Sequence, residues 1–408
     1  MFPVEFKKLI QPILLLVALL ITIVFSIQDL SFIDKHWPNG RMVPIYDYAS
    51  DWQNRFGQTL EEEEIAEIEA EYFNLLDQAD KMISENAIAK QLQIANYEEF
   101  ESWHEENVSG GRINEMSDEE EEIIEQGDAI EQDLIDDSGD SIVDQIYVLQ
   151  NLYHSIKQFE SPDTFFNNEG FTEKERVRLS ETLFLKDSEG WRNILPTELS
   201  TIFTDHFEKI HRLLIILLSL LIPSVFVRDR LVGLQNIQWS SRRGRNILWT
   251  QFASGMIASF LVITCVVVFF GGFLYFTDFK QYFSNGLNSF FIEEPLQVSF
   301  YQWTFGQWIV RVGLLTSLIG MAYSGILFFL SQTSKHYLSL LMKVIPVGFV
   351  FMFIAGRLLI NAFYLNNALY QWTKIPMIEL YAGILLLVIS ISLPIIFCIR
   401  QQDKDLLD

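Results

Sequence analysis

The chain has 408 residues, half of them apolar, yet it carries a net charge of −24. No single water-soluble globular domain reconciles those figures, and so acidic a chain argues against nucleic acid as a partner, which needs a basic face. Its two cysteines, Cys265 and Cys398, both lie in apolar runs, so no disulfide staples the polar part of the chain.

The charge is unevenly divided. Residues 28–206 hold 43 of the 53 acidic and 12 of the 29 basic residues, a net −31, which leaves +7 for the remainder. Such asymmetry places the two parts in different solvents.

The first apolar run, Ile10–Ile27, follows Lys7 and Lys8. It is longer than the apolar core of a signal peptide, and no small-x-small cleavage site precedes Gln28, Asp29 and Leu30. It therefore reads as an uncleaved anchor rather than a signal peptide.

The polar segment 28–206 is long enough to bury its own core, and it reads as mostly helical. Thr59-Leu60-Glu61-Glu62 has the form of a capping box ahead of Leu60–Leu92, where Ile65, Ile68, Phe73, Leu76 and Ile83 recur at helical spacing. Ile142–Phe159 repeats the theme with Ile142, Ile146, Leu149, Tyr153 and Ile156. Thr172 and Glu175 cap a third helix over Glu173–Leu185, and Pro196–Phe207 forms a helix leading into the next span. Ser109–Gly111 and Asp136–Asp140 read as loops, and no stretch alternates as a strand does. Asp133, Asp136, Asp137 and Asp140 lack the spacing of a calcium loop. They read as a solvated acidic surface; its functional counterpart is long-range attraction of a cationic ligand such as a basic peptide.

Five further apolar runs follow: Leu213–Val227, Phe252–Phe276, Trp308–Leu330, Leu338–Ile360 and Met377–Ile399. The first reaches spanning length if its helix starts near Phe207, with Lys209, His211 and Arg212 snorkelling, and it contains Pro223. The expected fold is mainly α: a six-helix transmembrane bundle (1–27 and 207–408) with a large, mostly helical extracytoplasmic domain (28–206) inserted between spans one and two.

Orientation follows the short-loop cations. Arg228, Arg230, Arg242, Arg243 and Arg245, then Lys335, His336 and Lys343, then Arg400 and Lys404 all fall on the side of Lys7 and Lys8. The opposite loops, 277–307 and 361–376, hold only Lys280 and Lys374. Both termini are thus expected in the cytoplasm and residues 28–206 outside. Tyr301, Trp303, Trp308, Tyr370 and Trp372 suit an outer aromatic belt.

Catalytic patterns are missing. There is no phosphate-binding loop, no His-Glu-x-x-His, no Cys-x-x-Cys and no Gly-x-Ser-x-Gly, and His104, His154, His206 and His211 read as surface or packing residues. No catalytic or metal-binding residue is expected, and an intramembrane enzyme has no motif to support it.

The loop 228–249 carries more information. Asp229 is followed four positions on by Gly233; Leu234, Ile237 and Trp239 give an apolar face, Ser240 and Ser241 a small-residue turn, and Arg242, Arg243 and Arg245 lead into span three. The arginines alone satisfy the charge rule, but the amphipathic stretch before them would lie on the membrane or on a partner. The N-terminal Phe2–Lys8 reads as an interfacial helix beside it. This loop resembles the one between spans two and three of type-2 ABC exporter permeases, as does the six-span layout with an enlarged insertion after span one. It differs in having Asp where Glu is commoner and in lacking the usual Pro at the turn.

The resemblance implies the membrane subunit of an ATP-driven exporter without its own ATPase motif. A separate cytoplasmic ABC ATPase, binding ATP and Mg, would seat on the 229–245 residues named above; this chain itself would hold no cofactor. A second copy or a related permease would complete the pathway for a peptide or lipid-like substrate. Charges inside spans are functional candidates by default. Arg311, Arg357 and Glu379 sit near outer ends; they either snorkel or form an outer gate in which Glu379 pairs with one of the arginines. The alternative reading, from a different class, is a non-transporting receptor or scaffold presenting the acidic domain. The expected location is the cell membrane of a Gram-positive bacterium, spanned several times.

Overall fold

The computed structural model describes residues 2–39, 42–108, 118–135, 139–167, 170–185, 190–233, 246–292 and 294–402. The described residues are mostly helical and contain no strand, only the isolated bridges Thr59 to Asn193, Ile135 to Ser141 and Gly286 to Thr304. The chain divides into two compact units. Met1–Pro38, Thr197–Leu287 and Leu296–Asp408 form the first, and Asn39–Pro196 with Asn288–Pro295 the second.

The first unit is built from α1 (Phe2–Leu9), α2 (Pro12–His36), α11 (Thr197–Leu221), α12 (Pro223–Leu231), α13 (Ile247–Phe273), α14 (Phe305–Thr333), α15 (Tyr337–Leu359), α16 (Ala368–Thr373) and α17 (Ile378–Gln402). Five stretches are long and apolar enough to cross a membrane, and α1 with α2, bent by 49°, makes a sixth if the pair is one span. These helices are consistent with a multi-pass membrane protein.

The span expected over 207–227 is divided differently. One continuous helix begins at Thr197, so Pro196–Phe207 does lead straight into the apolar run, but it ends at Leu221. Pro223 opens α12 at the first position, where its missing N–H is tolerated.

The central helix is α14, packed against α11, α13, α15 and α17. Its Trp308, Ile319, Tyr323 and Leu327 are fully buried. Tyr323 OH meets Ser219 Oγ of α11 at 2.6 Å. Against α17 the backbones come close at Gly325: a Cβ there would stand 2.7 Å from the carbonyl oxygen of Ser390. Pro394, four residues on inside α17, has no N–H to return to that carbonyl. The glycine thus admits a backbone oxygen that the proline left without its helical partner.

Contacts at the helix ends show that the helices alternate in direction. At one end the beginning of α11 meets the end of α13 through His206 Nε2 and Phe270 O (3.2 Å), and α2 joins it through Phe25 and Phe270. The start of α14 meets the turn after α15 where Trp308 Nε1 donates to Ala362 O at 2.8 Å. Trp308 and Tyr370 are buried in this packing, so they do not serve in an aromatic belt; Trp372 is exposed. The two cysteines are free.

The second unit holds α3 (Met42–Phe56), α4 (Glu62–Glu85), α5 (Ala87–Gln91), α6 (Tyr97–Asn107), α7 (Asp118–Asp133), α8 (Ile142–Gln158), α9 (Pro162–Phe166) and α10 (Glu173–Leu183). The expected Thr172 cap forms: Thr172 N donates to Glu175 Oε2 at 2.6 Å and Glu175 N to Thr172 Oγ1 at 3.4 Å. The other capping box is displaced. Glu61 and Glu64 make it, while Thr59 bridges to Asn193. The long helix stops at Glu85, because Asn86 caps a new one by accepting from Ile88 N and Ala89 N. Ser109–Gly111, Asp136 and Asp137 lie outside the described residues. Of the other loop acids, Asp133 accepts a hydrogen bond from Asn86 Nδ2 at 2.8 Å.

The core of this unit is completed by a segment from far along the chain. Trp52, fully buried, meets Phe290 and Phe291 at ring separations of 6.2 and 5.9 Å. Ser155 Oγ donates to Ile292 O at 3.0 Å, and Asn193 Nδ2 to Asn288 O at 3.1 Å. Residues 288–295 belong to the connection between α13 and α14, so the second unit is more than a single insertion after the first span.

Candidate functional site

The loop onset after α12 is the best-organised polar site among the described residues. α12 ends at Leu231, with Val232 as its cap and Gly233 beyond it at φ +74°. That left-handed position explains the glycine four residues after Asp229: a side chain there would be strained by about 1 kcal/mol although nothing blocks its space.

Asp229 is 6% exposed, and beside it lie Glu5 at 3% and Gln251 at 5%. Lys8 Nζ reaches Asp229 Oδ2 at 2.6 Å and Glu5 Oε1 at 2.8 Å. Gln251 Nε2 donates to Glu5 Oε2 at 3.2 Å and to Asp229 Oδ2 at 3.4 Å. The N-terminal helix α1, the end of α12 and the first turns of α13 are therefore tied through one small cluster. Two carboxylates share one cation and one amide. Buried charges of this kind persist only when paired and hydrogen-bonded.

Arg230 points elsewhere. Its guanidinium donates to Gln332 O at 2.6 Å and, by a short bond, to Ser334 O. These are carbonyls at the end of α14, where a cation satisfies orphan acceptors and complements the helix dipole. Successive residues of the loop onset thus grip α1 and α13 on one side and α14 on the other. Beyond them Leu231 and Val232 are exposed. Leu234, Ile237, Trp239, Arg242, Arg243 and Arg245 lie outside the described residues.

The three gate candidates are not paired. Glu379, in the first turn of α17, is buried, and its Oε1 accepts from Phe363 N at 3.2 Å. Phe363 and Asn361 sit at φ +70° and +51°, so the carboxylate holds a turn of left-handed residues between α15 and α16. Arg311 Nη1 donates to Gln307 O at 2.9 Å, and its guanidinium lies 4.0 Å from the Trp303 ring centre. Trp303 in turn touches Phe363 at 5.4 Å. Trp303 and Phe363 thus form a chain of contacts from Arg311 to Glu379.

Arg357 faces a different group of side chains. Its guanidinium lies over Phe353, at 5.3 Å, and it lines a cavity of about 300 Å³ together with Glu208, Met352, Gly356 and Asn366. Glu208 there is engaged by Arg212 Nη2 at 2.5 Å.

Sequence reasoning named Asp229 and Gly233 but missed Glu5, Lys8, Gln251, Gln332 and Ser334 as their partners. The expectation of an N-terminal Phe2–Lys8 helix beside the loop pointed to the right neighbour but named no pairing. No family model, curated protein or solved structure matches this chain.

Proposed function

We propose that the chain is the membrane-spanning subunit of an ATP-driven exporter, driven by a separate ABC ATPase that binds ATP and Mg on the cytoplasmic side. The observation that supports this most is the double anchorage of the loop onset. Asp229 is tied to α1 and α13 through Lys8 and Gln251, and Arg230 to the end of α14. A push on the segment that follows would reach three helices together, and packed helices respond by shifting between discrete arrangements. A loop that merely obeyed the charge rule would need neither anchor.

In this reading both termini and the loop 228–249 are cytoplasmic, residues 28–206 face outward, and the membrane is that of a Gram-positive bacterium. Leu231 and Val232 are exposed at the loop onset, and the apolar residues Leu234, Ile237 and Trp239 that follow in the sequence are the ones assigned to the ATPase contact in this reading. A second copy of the chain or a related permease completes the translocation path, and the cargo is a peptide or a lipid-like molecule.

The test is co-purification. An ATPase carrying a phosphate loop should remain bound to the full chain through detergent extraction, and I237D/W239D should release it. Retention of the ATPase by that variant would remove the coupling assignment. If no ATPase accompanies the wild-type chain, the protein is a receptor or scaffold presenting the acidic unit.

A further inference from the structure

His211 lies in the middle of α11, where the sequence groups it with Lys209 and Arg212 as a snorkelling residue. Those two do reach outward, each paired with the acid four residues before it. His211 does not: it is 1% exposed. Neither its Nδ1 nor its Nε2 has a hydrogen-bond partner among the described residues. A neutral imidazole always carries one donor and one acceptor, so a buried one is nearly always paired. His206, earlier on the same helix, follows that rule through Nε2 and Phe270 O. His211 follows it at neither nitrogen.

The neighbours of α11 fix where His211 faces. Phe207 and Leu214 lie against Gly313 and Gly320 of α14, and Glu208 and Ile215 against Gly356 and Gly348 of α15. At about 3.6 residues per turn, residue 211 falls between those two rows, so the imidazole enters the seam where α14 and α15 meet on α11. Met352 stands midway between Gly348 and Gly356, and so at the level of His211. It also lines the cavity of about 300 Å³ that holds Glu208, Arg357 and Asn366, where the buried Asn366 Oδ1 has no partner either. On the far side of His211, Tyr323 OH meets Ser219 Oγ beside Gly348. Polar groups therefore follow one another down the seam: Glu208 at the cavity, then His211, then Tyr323 with Ser219.

We propose that His211 is a proton-binding site in the core of the bundle, loaded from the Glu208–Arg357 cavity when α15 parts from α11. A proton passes from a hydronium ion in the cavity to the imidazole nitrogen that carries the lone pair, and a water molecule is left behind. Few other charges face this level. Glu208, three residues earlier on α11, is held by Arg212 at 2.5 Å. Arg357 of α15 lies over Phe353 at the cavity. On α14, Tyr323 is engaged by Ser219, and Arg311 turns to Gln307 and Trp303. Residues 12–28 of α2 and 247–273 of α13 hold no acid or base but Cys265. With the seam closed, an imidazolium would be buried without a counter-charge of its own, which is strongly unfavourable. Proton uptake therefore goes with opening: water from the cavity reaches the ring, and Glu208 can exchange Arg212 for the imidazolium. Ionisable side chains that face the interior of a spanning bundle serve as proton relays, and imidazole is the one that exchanges protons near neutral pH. The inference does not rest on export; it holds equally for a receptor or scaffold.

The experiment uses the full chain in lipid nanodiscs, with nitrogen-15 in its histidine rings and His211 identified by the signal that H211Q or H211N removes. Between about pH 8 and about pH 5 the His211 nitrogens should pass from the neutral to the imidazolium pattern. Hydrogen exchange of the α15 amides is then compared with H211Q at the same pH, which cancels the intrinsic pH dependence of exchange. At about pH 8 the two should agree; at about pH 5 the wild type should open about tenfold more often, because only it can take up the proton. H211N, shorter but equally uncharged, should behave as H211Q does. A His211 ring that stays neutral to about pH 4.5, or α15 exchange at about pH 5 that is the same in the wild type and both variants, overturns the assignment and leaves His211 a packing residue.

Discussion

Lys8 is the residue on which the loop-onset cluster depends, and replacing it by Met tests that dependence. The side chain lies 2.6 Å from Asp229 and 2.8 Å from Glu5, and no other cation among the described residues reaches either acid. Removing it leaves two buried carboxylates with only the Gln251 amide between them. Breaking a buried pair from one side costs about 3–5 kcal/mol; Lys8 is 24% exposed, which places this case at the lower end, about 3 kcal/mol. Asp229→Asn is milder, because Lys8 keeps Glu5: about 1–2 kcal/mol. Glu5→Gln and Asp229→Asn added to Lys8→Met should recover most of the loss, since no buried charge then remains. The assay is hydrogen exchange of the α1 amides in the lipid-reconstituted chain. About 3 kcal/mol corresponds to a rise of roughly a hundredfold in opening for the Lys8 variant. If Asp229→Asn loosens α1 as much as Lys8→Met does, or if Lys8→Met leaves exchange unchanged, the cluster does not hold the helix.

Three further outcomes are expected. Gly325→Ala forces a Cβ to 2.7 Å from Ser390 O; overpacking of about 2 kcal/mol, offset by about 1 kcal/mol of helix propensity, leaves a net loss near 1 kcal/mol in a denaturant titration of the bundle. Glu379→Ala should lower stability by about 2 kcal/mol, by orphaning the Phe363 amide, whereas Glu379→Gln keeps an acceptor and should cost less than about 1 kcal/mol. Equal damage from the two would show that the charge itself matters, as a gate requires. In the acidic unit, burial and the neighbouring Asp140 push the Asp47 carboxyl above the usual carboxylate range. The folded state therefore holds that proton more tightly than the unfolded one, and ionisation at neutral pH opposes folding. Asp47→Asn should raise the thermal midpoint at pH 7 by the equivalent of about 0.5 kcal/mol, small because the group is exposed. The gain should shrink as pH falls through the ordinary carboxylate range, because the charge that opposes folding is then lost.

Hydropathy made the bundle legible, because a spanning helix must be apolar along its whole length whatever it packs against. It did not show where the second run breaks, since Pro223 reads equally as an interior kink or as the first residue of a new helix. In the acidic unit Ile142–Gln158 and the Thr172 cap were readable from spacing alone, but α3, α6 and α7 were not. Their apolar positions are diluted by acids, and Trp52 of α3 packs against Phe290 and Phe291, far away in sequence. The site was half legible. Asp229 and Gly233 stand out because helix endings have local signatures, whereas Lys8 and Asp229 are 221 positions apart. Glu379 was sought among opposite charges; its partner is a backbone amide in a left-handed turn, which no side-chain pattern announces.

The Phe290–Phe291 segment changes what the acidic unit is as a piece of heredity. A domain inserted at one point can be lost, gained or exchanged by a single cut-out of sequence. This one is joined to the bundle by four chain crossings rather than two, after Pro38, Pro196, Leu287 and Pro295. Excising 39–196 would leave two phenylalanines bare on a loop that had been part of a folded core. Any lineage that trims or swaps the acidic unit must therefore rewrite the connection between α13 and α14 in the same step, and the two segments should vary together or not at all.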